Sequence, residues 1–155
     1  MPNPILNRGG AGISISRPET VDRLRPLIRQ FNELHLLYVS ALPRLPAGEG
    51  RERVEGLLRI ARMDIDKIEE TIHSSGGVSY TLTDIGEMKL AGSGQDDGVL
   101  EQLLAAERAF LAAIQGESKT KHHIRTQAIL MNVESNSRAR LGMLEDTVRK
   151  TGTSE

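Results

Sequence analysis

Four stretches of this chain carry apolar residues at steps of three and four, and that spacing constrains its fold more than any other feature. In the first, Val21, Leu24, Leu27, Ile28, Phe31, Leu34, Tyr38 and Leu42 line one side of a helix with 3.6 residues per turn. Val54, Leu57, Leu58, Ala61, Ile65, Ile68 and Ile72 repeat the pattern in the second. Val99, Leu100, Leu103, Leu104, Phe110, Leu111 and Ile114 form the third, and Ile129, Leu130, Val133, Leu141, Leu144 and Val148 the fourth. Each helix has a face it cannot leave in water, and four such faces close on one another as a bundle.

The punctuation between the stripes sets the boundaries. Ser16 with Glu19 three residues on reads as a capping box, and Pro18 early in a helix costs no hydrogen bond, so the first helix starts there. Pro26 is expected to kink its first turns, and Pro43, Pro46, Gly48 and Gly50 end it. The second helix is predicted from about residue 51 to 75, closed by Gly76 and Gly77. Residues 78–97 form a crossover in which Thr83 to Met88 can make a short helix. The third helix is predicted from about 97 to 115, the fourth from about 124 to 150 with Gly152 past its end. Residues 1–16 and 151–155 read as tails around one domain at 17–150.

Composition narrows the function classes. A chain of 155 residues suits one core, and aromatic residues at 3% argue against a sheet sandwich, so the fold class is all-α. Twenty basic residues against 21 acidic ones leave no overall footprint for nucleic acid or an anionic membrane. The absence of cysteine removes thiolate ligands and thiol catalysis. No apolar run approaches the length of a membrane span and no export signal opens the chain, so a cytoplasmic protein without membrane contact is expected. Common catalytic motifs are missing: no Ser-His-Asp order, Gly-rich phosphate loop or His-Glu-x-x-His helix occurs.

Candidate sites are few. Glu70 and His73 have the Glu-x-x-His spacing that di-metal bundles use, although His73 sits in a last turn, where a surface histidine is ordinary. Asp66 and Glu70 share a face of the second helix nearly opposite Ile65, Ile68 and Ile72, so they point away from their own core unless a second subunit covers them. His35, with Glu33 nearby, borders the first stripe and reads as a boundary residue with a satisfied hydrogen bond. Glu107 and Glu134 could supply acids, but the exposure habit of glutamate favours surface positions for both. Lys119, Lys121, His122, His123 and Arg125 form a compact basic cluster near a helix start, open to phosphate or DNA but with no aromatic residue interleaved, so a solvated loop is favoured.

Two stretches resemble the Dps family, small cage-forming ferritin relatives that protect bacterial DNA and sequester iron. Asp66 through Gly77 is similar to that family's second-helix pattern of Asp, three residues, Glu, then a Gly-Gly end, with a short crossover helix following. Thr126 through Leu144 is similar to its last helix, with Gly142 in place of a usual Trp, and Leu37-Tyr38 fits the first helix more loosely. The resemblance implies a ferritin-like four-helix bundle with a short crossover helix between helices two and three, assembled as a homo-oligomer. It also implies iron held at a subunit interface by Asp66 and Glu70, in stress protection or metal sequestration. The family's imidazole ligands have no counterpart, since residues 42–56 contain no histidine, and His123 stands where an acidic iron pore would have Asp. The expected ferroxidase site is therefore degenerate and at most a weak enzyme. The alternative is a noncatalytic scaffold or interaction protein of the same fold, with nonspecific DNA binding a further option through the tails or the Lys119 to Arg125 cluster.

Overall fold

The computed structural model describes residues 14–93 and 98–153, and they form helices and connections without a strand. We number the helices α1 (Arg17–Ala41), α2 (Glu49–Ser74), α3 (Leu82–Ile85), α4 (Val99–Ser118) and α5 (Ile124–Thr153), with a single 3-10 turn at Leu42–Arg44 after α1. The expected tail at 1–16 lies outside the described residues up to residue 13, and the predicted start of the third helix at residue 97 lies outside them too. At Ser14 to Ser16 the backbone is non-helical, and the Ile15 amide donates to the Lys121 carbonyl at 2.9 Å.

Helix starts follow local chemistry. Ser16 takes an extended conformation and its hydroxyl accepts the Glu19 amide at 3.2 Å, as the sequence predicts. A capping box that the sequence reading did not single out opens α3: the Thr81 hydroxyl accepts the Asp84 amide and the Asp84 carboxylate accepts the Thr81 amide at 2.9 Å. This box shifts the short helix slightly upstream of the predicted Thr83 to Met88. Helix α1 continues through Pro26, which lies on its exposed side, to Ala41.

Packing follows from the stripes. Helix α1 packs on α2 and α4, and α5 packs on α4 and α2, which makes a four-cornered bundle with α1 and α5 on one diagonal. The core between them holds Leu24, Ile28, Phe31, Ile68, Ile72, Leu103, Phe110, Ile114, Leu130 and Val133, all fully buried or nearly so. Phe31 and Phe110 stack with ring centroids 4.2 Å apart. The crossover straps the outside of α1: Asn32 donates to the Tyr80 carbonyl at 2.8 Å, and the Leu90 amide donates to the Ser40 hydroxyl at 3.2 Å.

The two glycines that close α2 are needed for different reasons. Gly76 has φ +89, the left-handed conformation of a helix C-terminal cap. Gly77 has an ordinary φ, but a Cβ there would run into both methyls of Val21, one of them at 2.7 Å, and meet Ile72 Cγ2 at 3.1 Å. The end of α2 is thereby held against the first turns of α1. Gly77→Ala is expected to cost about 1–3 kcal/mol through overpacking, and Val21→Ala on that background to restore part of the loss. Urea denaturation of the two variants checks this, and an unchanged midpoint for Gly77→Ala would show that the helices can part without cost.

Candidate functional site

The interior of a four-helix bundle is where metal and cofactor sites are usually built, from side chains on facing helices. Here the middle of the bundle is polar and fully enclosed. Helix α1 contributes Tyr38, α2 Asp64, α4 Glu107, and α5 Ser137 and Arg140, each with essentially no exposed surface.

Glu107 is the acceptor at the centre. Its Oε1 accepts the Tyr38 hydroxyl at 2.7 Å and Arg140 Nε at 2.7 Å, while Oε2 accepts the Ser137 hydroxyl at 2.8 Å and Arg140 Nη2 at 3.2 Å. Every neighbour donates, so Glu107 sits there as a carboxylate held in bidentate fashion by the guanidinium. Burial and the Glu107 charge push the Tyr38 phenol far above its usual range, which keeps it a donor. The Arg140 guanidinium carbon lies 5.4 Å from the Phe31 ring centroid, so an aromatic face covers the cation.

Asp64 completes the group. Its carboxylate lies 3.8 Å from Arg140 Nη1, an ion pair without a hydrogen bond, and accepts Asn136 Nδ2 at 3.2 and 2.9 Å. Desolvation raises its carboxyl above the usual value, opposed by Asn136, Arg140 and Lys67.

This arrangement does not fit a di-metal centre. Such a centre wants carboxylates and imidazoles converging from four helices, whereas α1 and α5 here offer Tyr38, Ser137, Asn136 and Arg140. No histidine lies in this network, and the guanidinium already occupies the space between the two acids. Among the described residues no three His, Asp or Glu side chains gather as a metal site.

Glu107, read as a surface residue, is fully buried and holds four hydrogen bonds. His35 is buried rather than at a boundary, and its Nδ1 has no hydrogen-bond partner. Arg140, Asp64 and Ser137 were not foreseen. A signal for the α5 pair existed, since Leu130, Val133, Ser137, Arg140 and Leu144 continue one stripe in which two positions are polar.

Most of the remaining candidates lie on the outside. Asp66 and Glu70 are exposed on α2, as expected from the helical wheel, and His73 is exposed in its last turn. His35 Nε2 lies 3.5 Å from Arg62 Nη1, and its imidazole also feels the charge of Asp66 from α2. Glu134 pairs with Arg138 at 3.0 Å. Of the basic cluster, His122 is buried with Nε2 2.7 Å from Glu117, while Lys119, Lys121, His123 and Arg125 are exposed.

The chain matches no protein-family model and no curated protein sequence. Among solved structures it is similar to the dodecameric thioferritin, the bacterioferritin-related protein from Bacteroides fragilis. That likeness has a TM-score of 0.75, with 15% identity, over 91% of this chain and 90% of that one. The fold is thus a ferritin-like four-helix bundle, with a short crossover helix between its second and third long helices. No helix of the described residues is long and apolar enough to cross a membrane.

Two outcomes are expected. Arg140→Met leaves Glu107 buried without its counter-charge and should cost about 3–5 kcal/mol, whereas Arg140→Met with Glu107→Gln should recover much of that in urea denaturation. A single variant as stable as the natural chain would mean the cation contributes nothing. For His35, burial and Arg62 hold the imidazole below its ordinary 6.5, against the pull of Asp66. The unfolded chain then takes up the proton first, so stability is fully present above 6.5 and falls as pH drops toward the folded value. His35→Gln should flatten that fall, and an unaltered pH profile would count against it.

Proposed function

We propose that this chain is a ferritin-like protein of the Dps kind, a subunit of a homo-oligomer that sequesters iron in stress protection and carries a degenerate ferroxidase site. Iron, as cargo, is held where the α2 outer face meets another subunit, with Asp66 and Glu70 as the carboxylate ligands. The observation that carries the reading is the division of acids on α2. Asp64 is turned inward and balanced by Arg140, while Asp66 and Glu70 are turned outward and exposed. A dodecameric neighbour of the same fold supports the oligomer.

Two carboxylates without an imidazole make a sparse ligand set, so oxidation of bound Fe²⁺ by oxygen is expected to be slow. The inward half of the same observation favours a second reading, a noncatalytic scaffold of this fold, in which the bundle has kept its shape and uses no metal.

Anaerobic titration with Fe²⁺ followed by oxygen separates the two, with assembly followed by light scattering. Saturable binding is expected, lost in the Asp66→Ala/Glu70→Ala variant and kept in Glu107→Gln, because the interior acid is already satisfied. Loss in Glu107→Gln alone would move the metal into the bundle. No binding by folded, assembled protein would leave the scaffold.

A further inference from the structure

At the end of the bundle where α1 and α5 begin and α2 finishes, a cavity of about 780 Å³ opens between the three helices. Its charged lining is mostly basic: Arg17 from α1, Lys67 from α2 and Arg125 at the start of α5, against one acid, Glu70. Among the described residues neither Arg17 nor Arg125 has an ion-pair partner, and Lys67 reaches only Asp64, at 4.0 Å. Two arginines without an ion-pair partner thus line one cavity, and guanidinium groups match an oxyanion in charge and donor geometry.

A second observation is independent of the charges. Thr126, in the first turn of α5, is only 7% exposed, lines the cavity and has no hydrogen-bond partner for its hydroxyl among the described residues. A hydroxyl at a helix start that has no protein partner and is reached from the cavity can donate to a bound anion, and the helix dipole there favours negative charge.

The rest of the lining decides what carries the anion. The volume exceeds what one tetraoxyanion fills and falls in the range of small-molecule sites. Thr20, Thr71 and Ser74 have hydroxyls that donate to backbone carbonyls, leaving their oxygens as acceptors toward the cavity, with the Glu70 carboxylate beside them. No Phe, Tyr or Trp is present in the lining to stack a base, and His123 is its single ring. Several acceptors beside one small ring, without a broad aromatic platform, suit the hydroxyls of a polyol.

We propose that this cavity binds a small phosphorylated polyol, its phosphate group held by Arg17, Lys67, Arg125 and the Thr126 hydroxyl. The site does not depend on the iron reading. Glu70 borders both, with opposite signs: as a metal ligand its removal weakens metal binding, and as the lone acid of the cavity its removal strengthens anion binding.

The test is calorimetric titration of the full chain at low ionic strength with ribose 5-phosphate, inorganic phosphate and ribose. Saturable binding of ribose 5-phosphate is expected, tighter than that of inorganic phosphate, with none for ribose. Arg17→Gln and Arg125→Gln should each weaken it by about tenfold or more, Thr126→Val should weaken it, and Glu70→Gln should tighten it. Lys119→Gln, in the same basic cluster but outside the cavity, should leave it unchanged. Both arginines are exposed, so their replacement leaves the core intact. Absence of saturable binding overturns the site, as does equal weakening by Lys119→Gln, which would reflect diffuse charge. Inorganic phosphate binding as tightly as the ester would overturn the polyol.

Discussion

The bidentate pair between Arg140 and Glu107 constrains the rest of the bundle more than any other contact. Both groups are out of water, where an isolated charge costs many kcal/mol, so each must keep its partner in a narrow geometry. That requirement fixes the register of α5 against α4, and through Tyr38 and Asp64 it ties in α1 and α2. Apolar stripes alone would allow neighbouring helices to slide by a turn at small cost, whereas a shift of one turn here would strand two buried charges. The pair acts as a locating device, the best attested use of buried ionic groups.

The same pair separates the fold from the chemistry that the fold usually invites. A bundle of this kind offers its centre to cations, and this chain supplies its own in covalent form. A guanidinium cannot leave, exchange or change oxidation state, so Asp64 and Glu107 stay paired with a fixed cation. Charge is less balanced on the outside, with the exposed acids of α2 on one side and arginines without an ion-pair partner around the α1 and α5 starts on another. Both lie beside the last turns of α2, whose end is held close to α1 by Gly77.

Much of the fold was legible because helix periodicity, caps and breakers are local. The Ser16 cap, the Gly76-Gly77 stop and the four stripes place the long helices to within a few residues. Legibility failed where a residue's surroundings come from distant parts of the chain. Glu107 looks like any glutamate on an amphipathic helix until Arg140 and Ser137, some thirty residues later, arrive beside it. His35 borders its stripe on a wheel, and becomes buried only when α2 covers it with Arg62 and Asp66. The outward placement of Asp66 and Glu70 was readable, since a helical wheel needs no partner.

The sequence by itself determined the all-helical class, the number and span of the long helices, and which acids of α2 face outward, because these depend on spacing within single segments. Tertiary structure alone decided that the bundle interior is sealed by an internal cation. It also decided that Arg17, Lys67 and Arg125, far apart in the chain, share one cavity. Burial and charge pairing are properties of neighbours in space, and the chain's order does not state who those neighbours are.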